Sequence, residues 1–315
     1  MGRRREALRH ETRLSQPALA IHGGAGTLAR SDMTPDESRR YRIALGHALA
    51  TGWRVLRDGG VSLDAVCAAV VALEDCPLFN AGRGAVFNAE GRHEFDASVM
   101  NGATLEAGAV AAIRHAKNPV LVARAVMERT PHIVLAGAGA GRFARAQGFA
   151  AMPEHYFHTR RRWAALERAR RAGRALGERE RHGTVGAVAR DCAGNLAAAT
   201  STGGYTNKMA GRVGDSAQIG AGTYADNATC AVSTTGHGEI FIRAMVAHDI
   251  AARMRYGGQT LRQAVDAALR SVAALGSSGG VVAVGRRGAA VLGFNSEGMY
   301  RARVSAGRRA EAAVY

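Results

Sequence analysis

The chain has 315 residues, of which 47% are hydrophobic, 22% charged and 5% aromatic, with 40 glycines and a formal charge of +16. This composition excludes a disordered polypeptide, and the length suits one large domain or two small ones. No apolar run approaches the roughly 20 residues of a membrane span; the longest, such as Ala65–Leu73, suit a buried helix.

The positive charge concentrates in the first dozen residues and in 160–181, where Arg160, Arg161, Arg162, Arg168, Arg170, Arg171, Arg174, Arg179 and Arg181 alternate with Ala, Leu and Glu. Such a stretch reads as a solvated linker, and so few aromatics offer little for stacking bases, so nucleic acid is not the expected partner. The basic N-terminus has no apolar stretch behind it and does not read as a secretory signal. Cys67, Cys76, Cys192 and Cys230 show no paired spacing. They point to free thiols in a reducing cytoplasm, not to disulfides or a cysteine metal site.

In chain order, Ala18–Ile21 predicts a short strand running into His22-Gly23-Gly24-Ala25-Gly26. That run could cradle an anion through its amides, but reads better as a tight turn. Thr34-Pro35-Asp36-Glu37 joins a capping threonine, a proline at the first helical position and a glutamate at the third, predicting a helix to about Arg57. Ser62 opens a second helix through Leu73. Beyond a glycine-rich loop at 79–84, strands are expected over Ala85–Asn88, Phe95–Met100 and Ala107–Ile113, a helix from Asn118 to about Met127, and a strand at His132–Ala136. Gly137-Ala-Gly-Ala-Gly-Arg142 then opens a helix, but Arg142 stands where a dinucleotide loop needs its last glycine.

From about 150 to 182 apolar periodicity is lost, and a long mobile basic linker is expected. Strands resume at Val185–Ala189, Leu196–Ser201 and Ala228–Ser233, followed by helices over about Glu239–Arg255 and Thr260–Leu275. Gly279–Val284, Ala289–Gly293 and Arg301–Val304 form a closing meander. Each half mixes strands and helices, so the two could share one pair of sheets.

The chemistry concentrates after the linker. Gly183-Thr184 begins a strand; the runs Thr200-Ser201-Thr202-Gly203-Gly204 and Ser233-Thr234-Thr235-Gly236 lie at the ends of others; Arg212 and Asp215 share a glycine-flanked turn. An arginine fork suits a carboxylate and an aspartate suits an ammonium, so this pair fits the backbone ends of an amino acid. A threonine hydroxyl attacks only with a base beside it, which cutting the chain before Thr184 would supply as its own α-amine. The histidines do not pair at metal-ligand spacing, and His182 and His237 read as packing or hydrogen-bonding residues.

These segments resemble the plant-type asparaginase/isoaspartyl peptidase family of N-terminal-nucleophile hydrolases. The matching runs are His22–Gly26, Leu73–Gly82, Phe95–Met100, His182–Val188, Gly194–Gly204, Thr206–Lys208, Gly211–Ser216, Thr235–Glu239 and Phe294–Tyr300. Arg83, Asn101 and Gly293 depart from the usual pattern.

The resemblance implies an α+β fold, a four-layer αββα sandwich, as one domain cut between Gly183 and Thr184. Residues 1–183 would be its α chain, with 150–183 the linker, and 184–315 its β chain. It further implies Thr184 as nucleophile, Thr202 orienting it, Thr235 and Gly236 as oxyanion hole, and Asn80 on a loop near the site. Arg212, Asp215 and the Gly238 carbonyl would bind the substrate's amino-acid end.

Main-chain oxygens of Leu73, Glu74, Cys76, Phe79, Ala81 and Arg83 would hold a structural sodium ion, and no cofactor would serve catalysis. The implied function is hydrolysis of L-asparagine and β-aspartyl dipeptides by a cytoplasmic homodimer of αβ units. A glycosylasparaginase of the same fold, and a non-catalytic basic protein that associates with nucleic acid, remain as alternatives.

Overall fold

The computed structural model describes residues 15–26, 33–173 and 183–315. The N-terminal tail, His182, Arg174, Arg179 and Arg181 lie outside the described residues.

Helix α1 (Pro35–Arg57) starts as its sequence demands. The Thr34 side chain accepts from the Glu37 amide, and Glu37 accepts from the Thr34 amide at 3.0 Å, closing a capping box. It buries Tyr41, Leu45, Ala48, Leu49, Gly52 and Leu56 on one face. Helix α2 (Ser62–Glu74) lies against it so closely that a Cβ on Gly52 would come within 2.7 Å of the Ala65 carbonyl. Both helices cover an eight-stranded sheet, sharing a core of Leu19, Ile21, Leu45, Val66, Val70 and Val185.

That sheet runs in the order β12 (Glu311–Ala313), β11 (Gly298–Ser305), β1 (Ala18–Gly26), β5 (Val185–Arg190), β6 (Leu196–Thr202), β2 (Phe95–Asn101), β3 (Ala107–Ile113) and β4 (Val134–Ala136). All neighbours are antiparallel except β3 and β4. Helices α3 (Pro119–Arg129) and α4 (Gly137–Ala146) pack on β3.

A second, antiparallel sheet of β10 (Val291–Phe294), β9 (Gly279–Gly285), β8 (Cys230–Gly236) and β7 (Thr223–Ala225) faces the first. Small side chains, among them Ala18, Ala20, Val188, Ala198, Ala231 and Val282, fill the space between. The far side of this sheet is covered by α8 (Val246–Gly257) and α9 (Leu261–Ala274), through Ile250, Val265, Leu269 and Val281. The result is the four-layer αββα sandwich.

Four expectations need correction. First, the segment after residue 150 is not a structureless tether: it forms α5 (Glu154–Phe157) and α6 (Arg160–Arg171). Thr159 caps α6, and Arg162, Ala165, Leu166 and Ala169 form a buried stripe at helical spacing that the surrounding arginines disguise. The Arg162 Nε donates to the Gly84 carbonyl at 2.8 Å, and Trp163 meets Phe87 edge-on at 5.2 Å.

Second, His22–Gly26 is strand and not turn. β1 runs through it with a bulge between His22 and Gly24, where Gly24 has φ +113°. Third, the helix expected over Glu239–Arg255 breaks at Met245, in the left-handed region at φ 45°, into α7 (Gly238–Ala244) and α8. The break turns the Ala247 and His248 amides onto the Ala221 and Gly220 carbonyls. Fourth, Ala85–Asn88 forms no strand, only a single bridge from Asn88 to Lys208.

Candidate active site

One small cavity at the end of the sandwich is lined by Gly183, Thr184, Thr202, Arg212, Asp215, Gly236 and Gly238, together with Gly204 and Tyr205. Strand register explains the convergence. Val185 on β5 pairs with Ser201 on β6, which sets Thr184 beside Thr202. The Thr184 hydroxyl donates to the Thr202 hydroxyl at 3.2 Å, and Thr202 Oγ1 also accepts the Gly204 amide at 3.0 Å. Both threonines are buried.

Thr235 and Gly236 end β8 in the opposite sheet. Thr235 Oγ1 accepts the Ala25 amide from β1 at 3.3 Å, leaving its own proton to donate elsewhere. Gly236 has no room for a side chain, because a Cβ would strike the Phe241 ring.

Asn80 is buried but does not line the cavity. Its Nδ2 donates to the Gly204 carbonyl at 2.6 Å and its Oδ1 accepts the Val86 amide at 2.9 Å. A Cβ on Gly183 would lie 2.8 Å from the Asn80 Cβ, so Asn80 forms the wall against which Gly183 rests.

Arg212 and Asp215 lie together under Gly238, where an added Cβ would approach Arg212 Nη2 to 2.7 Å and Asp215 Oδ1 to 3.0 Å. Burial pushes the Asp215 carboxyl up to about 6, against the opposing charge of Arg212 and a 3.0 Å hydrogen bond donated by Thr234. Arg212 donates from Nε and Nη2 to the two oxygens of Glu239 at 2.9 Å each, and its guanidinium lies 4.5 Å above the Tyr205 ring. Burial pushes the Glu239 carboxyl up, but the hydrogen bond and charge of Arg212 more than offset it and hold the group below its ordinary range.

Glu239 and His22 are the functional contacts that sequence reading left unassigned. Buried His22 presents Nδ1 to the Thr184 carbonyl at 3.0 Å and Nε2 to Ser233 Oγ at 2.8 Å. A carbonyl only accepts, so Nδ1 carries the proton and Nε2 accepts from Ser233. Burial holds the imidazole down at about 3, against the pull of its bond to Thr184, so it is neutral at physiological pH. From Ser233 a buried chain of hydroxyls continues through Thr200 at 2.7 Å, Thr223 at 2.5 Å and Ser98 at 2.8 Å, lacing the two sheets together beneath the site. Only the position of His22 directly before two glycines could have signalled this role in the sequence. His237 lies 3.1 Å from Glu239, a placement the sequence does not announce.

The Thr184 and Thr202 hydroxyls thus share one cavity with Arg212 and Asp215, at one end of two stacked sheets. The chain belongs to the asparaginase family, whose model, described as Asparaginase, matches residues 15–314. It is 51% identical over 311 residues to the isoaspartyl peptidase of Salmonella typhimurium, covering 96% of this chain and 99% of that protein. The isoaspartyl peptidase of Escherichia coli is 50% identical over 311 residues, covering 96% of this chain and 97% of that protein. The isoaspartyl peptidase/L-asparaginase of Homo sapiens is 43% identical over 287 residues, with coverage of 90% and 91%.

Proposed function

We propose that the chain cuts itself between Gly183 and Thr184 and then hydrolyses isoaspartyl dipeptides and L-asparagine, releasing L-aspartate. The observation that carries this reading is the 3.2 Å contact between the Thr184 and Thr202 hydroxyls in the same cavity as Arg212 and Asp215. The names of the relatives supply the substrate class.

In the cut, the Thr184 hydroxyl attacks the Gly183 carbonyl and the peptide nitrogen leaves, giving an ester at Oγ1. Water hydrolyses that ester, leaving a Gly183 carboxylate and a free amine on Thr184. The amine has an ordinary pKa of about 7.7–8.0, so near neutrality a good fraction is free to take the hydroxyl proton.

In turnover, Arg212 takes the substrate α-carboxylate, using nitrogen not occupied by Glu239, and Asp215 with the Gly238 carbonyl takes the α-ammonium. Thr184 Oγ1 attacks the side-chain carbonyl, whose oxyanion receives the Thr235 hydroxyl and the Gly236 amide. Donors of that kind are worth about 2.7–4 kcal/mol each to the barrier. The amine hands its proton to the departing nitrogen, and water then frees aspartate from the ester. Asn80 keeps Gly183 and the Gly203–Gly204 turn in place.

The main-chain oxygens of Leu73, Glu74, Cys76, Phe79, Ala81 and Arg83 are the donors for a structural sodium ion. Oxygen donors suit a hard cation, and the loop is wound tightly enough to gather them. Gly82, at φ +48°, and Gly84 press against the Glu74 and Phe79 carbonyls where any side chain would collide. The proposed assembly is a homodimer of αβ units and the proposed setting the cytoplasm. All four cysteines are unpaired, and no helix among the described residues is long and apolar enough to cross a membrane.

The test is the intact mass of the purified chain after incubation near neutral pH, followed by assay on a β-aspartyl dipeptide. Two species dividing at Gly183–Thr184 with turnover are expected; an uncut chain that stays inactive sinks the reading. Thr184→Ala should stay uncut and lose activity by about four orders of magnitude or more.

A further inference from the structure

Strand β2 reaches both halves of the site. In its pairing with β6, Asp96 lies directly opposite Thr202, the residue that receives the Thr184 hydroxyl. The Asp96 side chain reaches the other half. Its Oδ2 accepts the Gly214 amide at 2.8 Å, immediately before Asp215. Two residues earlier, both Glu94 oxygens accept the Gly211 amide at 3.1 Å, immediately before Arg212. The two amides flanking the clamp turn are therefore held by two carboxylates of one short segment.

The fold bears a cost to keep this brace. Asp96 is fully buried, and its other oxygen accepts the Ala112 amide at 2.8 Å. To aim that amide, Ala112 takes φ 49°, a left-handed conformation uncommon for a residue with a side chain, at an irregularity in the β2–β3 pairing. Beside it, Lys208 is also fully buried, and its Nζ donates to the Glu94 carbonyl at 3.0 Å. Neither Asp96 nor Glu94 lines the cavity, so both act through the turn and not on the substrate.

We propose that Asp96, seconded by Glu94, sets the span between the Arg212–Asp215 clamp and the Thr184 hydroxyl, and so selects substrates whose scissile carbonyl stands one methylene from the α-carbon. The inference rests on the assignment of Thr184 as nucleophile and of Arg212 and Asp215 as clamp. A β-aspartyl unit and a γ-glutamyl unit present the same carboxylate and ammonium and differ by one methylene. A clamp free to drift by that distance would no longer favour the shorter one, since misplacement of about 1 Å costs on the order of 100-fold in rate.

The experiment compares the unaltered chain with Asp96→Ala, which removes both acceptors, Asp96→Asn, which keeps one, and Glu94→Gln, which keeps one for Gly211. Cleavage at Gly183–Thr184 and the melting temperature report the fold. Kinetics use a β-aspartyl dipeptide and its matched γ-glutamyl dipeptide. In Asp96→Ala, KM for the β-aspartyl substrate should rise about tenfold or more with a smaller change in kcat, and the β-over-γ preference should fall about tenfold. Asp96→Asn and Glu94→Gln should fall between; should Asp96→Ala fail to fold, these two decide.

KM and preference within about twofold of the unaltered chain, in variants that still cut and melt normally, would overturn the inference. So would equal losses on both substrates. An unaltered chain that neither cuts nor hydrolyses would instead overturn the assignment of Thr184 beneath it.

Discussion

Asp215 sets two demands against each other at the level of a single carboxyl. In the proposed role its ionised form holds the substrate ammonium, yet burial raises its pKa to about 6. Activity should therefore weaken through a rising KM as pH falls through about 6, measurable as KM against pH on a β-aspartyl dipeptide. The stability sign is opposite. A carboxyl whose folded pKa lies above its unfolded value favours the folded state most at low pH, and that contribution is lost as pH rises through about 6. Asp215→Asn should abolish substrate binding while raising the melting temperature at pH 8 relative to the unaltered chain, with little difference at pH 4. A variant no more stable at pH 8 would show that the bond donated by Thr234 outweighs the burial cost.

The residues proposed as nucleophile and clamp, with the glycines beside them, were legible because each proposed role needs a particular residue type at a particular strand end or turn. His22, Glu239 and Asp96 were not. Each works through a partner more than twenty residues away, and only the strand order brings them together.

Among the elements, α6 shows most clearly how composition can hide structure. Five of its first eleven residues are arginine, which suggests solvent, yet its buried stripe and the Arg162 bond to Gly84 dock it on the loop after α2. Arg162→Met would strand a buried carbonyl acceptor and should cost on the order of 2 kcal/mol, read as a lowered melting temperature. An unchanged melting point would mean the helix is held by its apolar stripe alone.

The same loop is where the sodium proposal stands or falls. Exchanging sodium for tetramethylammonium should lower the melting temperature if the Leu73–Arg83 oxygens hold the ion, and leave it unchanged if they do not. Helices with caps, α1 and α9, were readable nearly to the residue, because Thr34 with Glu37 and Thr260 with Gln263 state their beginnings. The break at Met245 was not, because it answers to carbonyls at Gly220 and Ala221 and not to its own neighbours. The three-residue β7 and β12 are too short to carry a period of their own.

At the scale of the molecule, the proposed cut falls inside a sheet and not between domains. The first piece supplies β1, which lies between β11 and β5 of the second, and β2, which pairs with β6. After cutting, the pieces should therefore travel as one particle in size-exclusion chromatography and part only in denaturant. Separation under native conditions would contradict the shared sheet. The sandwich itself was anticipated from mixed α and β in both halves and from the family resemblance. What the sequence could not show was that the halves interleave strand by strand.

That interleaving has a consequence for how the protein counts itself. The strands flanking Thr184 come from opposite sides of the proposed cut, so its setting requires β1 of the first piece as well as β5 and β6 of the second to be in place. A chain that misfolds would, on the proposed mechanism, keep its peptide bond and carry no catalytic amine. On the proposed mechanism, each new N-terminal threonine is then a permanent receipt for one completed folding event, and the fraction of cut chains in a preparation is a census of its folding history.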